Sequence, residues 1–324
     1  MRKIKSKWTG LAVLLALVAI LAVALACGPE EPKGTVVLVE QDWDGQLVTT
    51  AVAQILLEQE MGYIVETKFA PADSAPLFIG LESGDFHFVC CNWPSYSFAL
   101  LDEYVNPGGK ESVERLGLTG IVGGTGWYTP SYVVEGADAP APGLDSWDEL
   151  DQFKSVFATA DTGESGRLLG FTAAWDDRSQ ERLDAMGADY QVVFAGSEAA
   201  ALSELDAAFT RGDPVLTYLW EPHWAHAKYN LVSIELPPLT DDCYPAGNAD
   251  DFKCGWPADD VAKLVWPGLK DELPEVYEFL SNFQMTNAAQ NEMVLNVTDN
   301  EVTAREAAQA WVDANEDVWK AWIP

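Results

Sequence analysis

From residue 35 onward, short unbroken apolar runs alternate with stretches of helical spacing. Thr35 to Glu40 is a brief β-branched run of strand type, followed by a polar turn, Gln41 to Gln46, that contains Trp43. Val48, Val52, Ile55 and Leu56 then repeat on one helical face within Leu47 to Glu60, and Gly62 supplies a stop. Tyr63 to Phe69 predicts a second strand, Ser74 to Ser83 a second helix, and Asp85 to Cys91 a third strand. This β-α-β-α-β order predicts a parallel sheet with helices on its faces.

A further strand is expected at Ser131 to Glu135. Gly136 to Leu144, rich in Ala, Pro, Gly and Asp, has little to bury and reads as the start of a crossover. Ser146 with Glu149 three residues on predicts a capping box opening a helix. Val156 to Thr159 predicts a strand, and Ser197 to Arg211 a helix capped by Ser197 and ended by Gly212. Pro214 to Trp220 and Leu231 to Leu236 predict two more strands. After Pro237-Pro238 the chain is expected to return, with helices at Leu273 to Phe283 and Thr303 to Ala314. The fold class is therefore α/β, in two lobes. Residues 35–135 begin lobe 1, 136–236 form lobe 2, and 237–324 complete lobe 1. Two crossings, near residues 134–140 and 233–239, make a hinge, with a ligand cleft between the lobes.

The first 34 residues stand apart. Arg2, Lys3, Lys5 and Lys7 form a basic end, every residue from Leu11 to Ala26 is apolar, and Cys27 follows Ala24-Leu25-Ala26. This is the layout of a secretory signal over residues 1–26. Two readings meet at Cys27: acylation after cleavage, as in bacterial lipoproteins, or an ordinary small-residue cleavage site. The Cys at the cleavage point and the loose tether of residues 27–34 favour acylation, although the usual lipoprotein box has Leu where Ala24 stands. Such an anchor holds a protein on the outer face of a membrane without a spanning helix.

Charge and cysteines narrow the classes. The chain carries a formal charge of −32, and the expected signal removes four positive charges from it. Nucleic acid, whose phosphates would be repelled, is excluded as a partner. Cys243 and Cys254 flank a Gly/Asn/Asp-rich stretch and read as a loop-closing disulfide in an oxidising compartment. Cys90 and Cys91 read as two small buried thiols at a strand end in preference to a strained vicinal disulfide. With only His87, His223 and His226 as imidazoles and no CxxC pair, no metal site is expected. No cofactor motif is present. The chain has no GxSxG, HExxH or P-loop, so an enzyme is not expected, a secreted hydrolase being the remote alternative.

The aromatic residues carry the chemistry. Trp43, Trp93 and Trp220 fall after predicted strands, where α/β sheets bind ligands, and Gly126-Trp127-Tyr128 is a fourth candidate. A quaternary ammonium has no N–H to donate, and its charge is spread over methyl groups. Aromatic faces offer it negative quadrupole and apolar contact together, at ~0.5–2 kcal/mol per desolvated face. Asp44 could accept a hydrogen bond from the hydroxyl of choline. His223, Ser165 and amides of a helix start at Gly163 to Gly166 could serve the carboxylate of betaine. Trp175 and Trp256 are weaker candidates. A sugar or an amino acid in the same cleft is the alternative ligand.

The segments Asn92-Trp93-Pro94 and Trp220-Glu221-Pro222-His223-Trp224 resemble those of glycine betaine/choline-binding proteins of ABC importers. So do Gly84-Asp85 before a strand, Ser197 to Leu202 before Gly212-Asp213-Pro214-Val215, and Cys254-Gly255-Trp256-Pro257. The similarity runs in order through most of residues 35–324. It implies the two-lobed periplasmic-binding-protein fold, a small cationic or zwitterionic ligand, an ABC permease as partner, and Trp93 and Trp220 as cage walls. Trp43 followed by an acidic residue resembles the choline-type members. The family's tryptophan in the middle of lobe 2 has no clean match, since Phe171 and Trp175 stand at uncertain register. The reading leans to betaine-like solutes, with choline open.

Overall fold

A computed structural model describes residues 32–240, 243 and 252–324. The expected signal segment, Cys27 and the tether through Glu31 lie outside these residues. β1 (Thr35–Glu40), β2 (Ile64–Phe69) and β3 (Phe88–Asn92) are parallel, β1 lying between the other two. Their crossovers are α1 (Asp44–Gln59) and α2 (Ala75–Ser83). β1 and β3 are buried along almost their whole length, as parallel strands covered on both faces must be. β2 is the edge, and its exposed Glu66 and Lys68 keep that edge from pairing with another chain. α3 (Pro94–Tyr104) leaves β3 directly.

β4 (Glu114–Pro130) joins the two halves. Up to Gly123 it pairs antiparallel with β9 (Asp259–Val265). From Gly124 it pairs with β7 (Leu216–Glu221) and then β8 (Leu231–Ile234). β5 (Gly166–Gly170) and β6 (Tyr190–Phe194) run parallel, β5 beside β7. The strand order is β2-β1-β3-β9-β4-β7-β5-β6, with β8 paired to β4. Partners thus change inside one strand, at Gly123–Gly124. The crossing expected near residues 134–140 lies downstream of this change.

Several local expectations are corrected. Ser131 to Glu135 is no strand: pairing with β8 ends at Pro130, and the chain turns into the short helix α4 (Ser131–Val134). Val156 to Thr159 closes helix α5 (Leu150–Phe157), leaving Ala158 a single bridge to Gly166. The capping box at Ser146 does not form, because the Glu149 carboxylate takes the Asp145 N–H instead. Residues 163–166 are a turn running into β5 and not a helix start. Cys90 and Cys91 are bonded to each other rather than being separate thiols. Regular strands send neighbouring side chains to opposite faces, but β3 is irregular between Val89 and Asn92, and the two sulfurs meet. Cys243 and Cys254 are also joined. Among the described residues no helix is long and apolar enough to cross a membrane.

α6 (Glu198–Arg211) is capped by Ser197, whose hydroxyl accepts the Ala200 N–H. The return segment supplies α7 (Pro274–Asn282), α8 (Asn287–Asn300) and α9 (Ala304–Ala314), and the last two pack on α1. A buried lysine fastens this segment to the sheet. Lys263 on β9 donates to the carbonyls of Leu280, Ser281 and Phe283 at 2.9, 2.9 and 2.7 Å. These are the free acceptors at the end of α7, where the helix dipole favours a cation. Burial nevertheless lowers its pKa to about 8. Lys263→Met should strand these acceptors and cost roughly 2–4 kcal/mol, read from the urea unfolding midpoint.

Candidate functional site

Trp43 is the last extended residue before α1 (φ −138°, ψ 143°). Trp93 holds the same place before α3 (φ −97°, ψ 106°), with Pro94 as the first helical residue. This position normally carries Ser, Thr, Asp or Asn to cap the free helix amides. Neither tryptophan does so. Carboxylates from elsewhere take those amides. The Asp44 N–H donates to Glu198 Oε2 at 3.0 Å, from the start of α6 across the cleft. The Ser95 N–H donates to Asp259 Oδ1 at 2.9 Å. The Trp93 N–H reaches Asp73 Oδ1 at 3.3 Å, and the Asn92 side-chain amide donates to the same oxygen.

Glycines let the rings lie flat against backbone. A Cβ on Gly45 would stand 2.6 Å from Trp43 Cζ3, and one on Gly123 would stand 2.3 Å from Trp93 Cζ3. From the second half, Tyr218 and Trp220 share one face of β7, two residues apart. Trp175 comes from a single 3-10 turn, Ala173–Trp175, after β5.

These six aromatic side chains (Trp43, Trp93, Tyr96, Trp175, Tyr218 and Trp220), with Ala72 and Asp73, line one cavity. The rings stand edge to face. Trp43 meets Trp93 at 6.1 Å and 77°, and Trp220 at 6.3 Å and 85°. Trp175 meets Trp220 at 5.3 Å and 77°. Near-perpendicular planes make a box rather than a stack. The space open to the centres of water-sized spheres is about 50 Å³, several times the roughly 10–15 Å³ that one water needs. Such a space suits a compact solute. The halves are closed over it: Trp175 Nε1–H donates to Asp42 Oδ1 at 3.0 Å, and the Tyr96 and Tyr218 hydroxyls are 2.9 Å apart.

A buried polar cluster backs the box. His223 lies 5.0 Å from Trp220 between ring centroids, and its Nε2 is 3.2 Å from Glu198 Oε1. Its Nδ1 accepts the Ala225 N–H at 3.1 Å, which places the proton of the neutral ring on Nε2, donating to Glu198. Burial drives every group here toward its uncharged form. It lowers His223 to about 3. It raises Glu198 to about 7, against the Asp44 amide bond, which lowers it. It raises Asp44 to about 6, with nearby Glu198 adding to the rise. Asp73 is raised to about 8, again chiefly by burial.

Of the residues expected at the site, Trp43, Trp93 and Trp220 line the cavity. Trp127 does not: it is fully buried, donates to Ser179 Oγ and packs edge-on to Trp256, which stands behind Tyr218. Asp44 and His223 belong to the cluster behind the wall. Ser165 bonds Asp189 in its turn and takes no part in the lining. Tyr96, Tyr218, Asp73 and Ala72 lie outside the residues expected from the sequence, and Trp175 is one of its weaker candidates. The alternation of Tyr218 with Trp220 was a readable signal. Asp73, in an ordinary polar turn, offered none.

Residues 34–314 match the family described as the substrate-binding domain of the ABC-type glycine betaine transport system. The chain is 26% identical to the trimethylamine N-oxide-binding protein of Pelagibacter ubique over 332 aligned positions, covering 98% of each. The glycine/betaine/L-proline-binding protein of Borrelia burgdorferi superposes with a TM-score of 0.70 at 20% identity, over 90% of this chain and 97% of that one. A lactococcal protein closed around glycine betaine gives 0.69 at 21% identity, over 90% of this chain and 100% of that one. The two structures share this two-lobed fold.

The buried carboxyls make stability fall as pH rises. Glu198 and Asp73 bind protons more tightly when folded, so their contribution is full below the unfolded values and is lost through about 7 and about 8. His223 has the opposite sign, but its window ends near ~6.5, where the unfolded imidazole titrates. The melting temperature of the ligand-free protein should therefore drop between pH 6.5 and 8.5. Glu198→Gln should drop less over the same range.

Proposed function

Since the chain belongs to the family of substrate-binding domains of ABC-type glycine betaine transport systems, we propose that its cavity cages the methylated nitrogen of one small solute. The solute is glycine betaine or a close chemical relative, delivered to the permease of an ABC importer. The observation that carries this is the lining: six aromatic rings from both halves, and neither Lys nor Arg among them. A trimethylated nitrogen can use all of those faces, since its charge lies on methyl surface. Sugars need many side-chain hydrogen bonds, and here the two tyrosine hydroxyls bond each other. Names of relatives point to the same chemistry, glycine betaine in one and trimethylamine N-oxide in another.

Tryptophan fluorescence of the mature chain, titrated with glycine betaine, choline, trimethylamine N-oxide, a neutral isostere and maltose, tests this. Saturable quenching is expected with the methylated nitrogen compounds alone. Trp93→Ala or Trp220→Ala should weaken binding about 3- to 30-fold, while Trp127→Phe, behind the wall, should leave it unchanged. An equal response to the neutral isostere refutes the cage.

The same reading places the protein on the outer face of the cell membrane, held by acyl chains on Cys27 after removal of residues 1–26. Metabolic labelling with a fatty acid should mark the wild-type chain. Cys27→Ala should be unlabelled and recovered outside the membrane fraction.

A further inference from the structure

The cage accounts for a methylated head and leaves the rest of the ligand unrecognised. Asp73 is the one lining residue with an ionisable carboxyl. It sits at the turn after β2 with a left-handed backbone, φ 46°, a conformation that Asn and Asp tolerate and most residues do not. Both of its hydrogen bonds, from the Trp93 N–H and the Asn92 amide, arrive at Oδ1. Oδ2 is left for the cavity. We propose that Asp73 is the specificity residue of this site, its Oδ2 hydrogen-bonding an oxyanion, N-oxide or carboxylate, carried by the ligand. The proposal rests on the cage reading and goes beyond it, from the head of the solute to its other end.

A carboxylate cannot do this, but a carboxylic acid can. Oδ1 is occupied as an acceptor, so a proton on Oδ2 gives the site the donor that an oxyanion requires. The surroundings favour that protonated form. Asp73 is half-buried on the cavity wall, and burial pushes its pKa up to about 8 against the Asn92 and Trp93 hydrogen bonds, which lower it, with Asp259 on β9 adding to the rise. The other titratable groups on the lining are the Tyr96 and Tyr218 hydroxyls, both raised by burial and neutral at ordinary pH. Asp44, Glu198 and His223 lie behind Trp43 and Trp220. No lysine or arginine lines the cavity to hold Asp73 ionised. A zwitterion therefore meets a neutral donor, while choline, which brings a hydroxyl and no oxyanion, is better served once Asp73 has lost its proton.

Binding of trimethylamine N-oxide, glycine betaine, choline and tetramethylammonium, each measured by calorimetry at pH 7 and pH 9, separates the cases. For wild type, affinity for the two zwitterions should fall roughly tenfold between those pH values, as the donor ionises. Affinity for choline should rise over the same interval. Asp73→Asn keeps an amide donor and suits the left-handed turn, so it should hold zwitterion affinity at pH 7 within about threefold. Its profile should be flat, which isolates Asp73 from the cluster behind the wall. Asp73→Ala should lose about 10- to 100-fold for the zwitterions and little for tetramethylammonium, which has no oxygen. Zwitterion binding by Asp73→Ala equal to wild type, or the same pH profile in wild type and Asp73→Asn, overturns the proposal and leaves the cage intact. Failure of all four compounds, tetramethylammonium included, overturns the cage and this proposal together.

Discussion

The site depends on a helix-capping problem. Trp43 and Trp93 occupy the residue before a helix, because there an extended backbone turns a large ring out over the cleft. An indole cannot accept the amides that Ser or Asp would satisfy, and an uncapped start costs about 1 kcal/mol. The fold resolves this with carboxyls from other elements. Asp259 on β9 serves α3, and Glu198 serves α1 from the opposite half. The second solution has a structural consequence. In this closed arrangement the cap on the start of α1 comes from the opposite half, so the bond that satisfies the helix beside Trp43 is also a bond across the cleft.

Electrostatics follow the same geometry. The chain is strongly acidic overall, at −32, which attracts cations at long range. Inside, acidity is suppressed. Asp44, Asp73 and Glu198 all have raised pKa values for the same first reason, burial. His223 is held neutral because Nδ1 is already an acceptor and its ring is desolvated. The box thus presents quadrupoles and nearly neutral hydrogen-bonding groups, which a zwitterion tolerates at both of its ends.

Much of this was legible in the sequence, and the failures have identifiable causes. Val36 to Val39 and the spacing of Val48, Val52, Ile55 and Leu56 specify β1 and α1 through burial periodicity. Ser197 and Gly212 bound α6 through capping chemistry. Trp43, Trp93 and Trp220 stood out because they follow predicted strands. Trp127, a candidate placed before an expected strand, packs behind the wall, since its placement is decided by partners distant in sequence, Ser179 and Trp256. Ser146 and Glu149 have the spacing of a capping box, but Asp145 competes for the Glu149 carboxylate and wins. Asp73 was invisible because its place on the cavity lining and its φ of 46° are set by the fold, and a residue type discloses neither.

Why the aromatic box is split between two halves has an energetic answer. Trp43, Trp93 and Tyr96 come from one half, and Trp175, Tyr218 and Trp220 from the other. The hydrogen bonds that cross the cleft, Trp175 to Asp42, the Asp44 amide to Glu198 and Tyr96 to Tyr218, are each worth about 1 kcal/mol net. A methylated cation adds ~0.5–2 kcal/mol for each ring face it touches. A single crossing bond and a single ring face are of similar size, so the number of faces a ligand touches on both halves sets how much it adds. Crossing bonds alone compete with the water and motion that closure removes, and a ligand on one set of rings alone lacks half its faces. A ligand that touches rings of both halves binds the closed arrangement better than the open one, and that differential affinity is the condition for a ligand to shift a conformation at all. On the proposed function, a cage built wholly on one half would bind the same cation, yet its occupancy would do nothing to the other half.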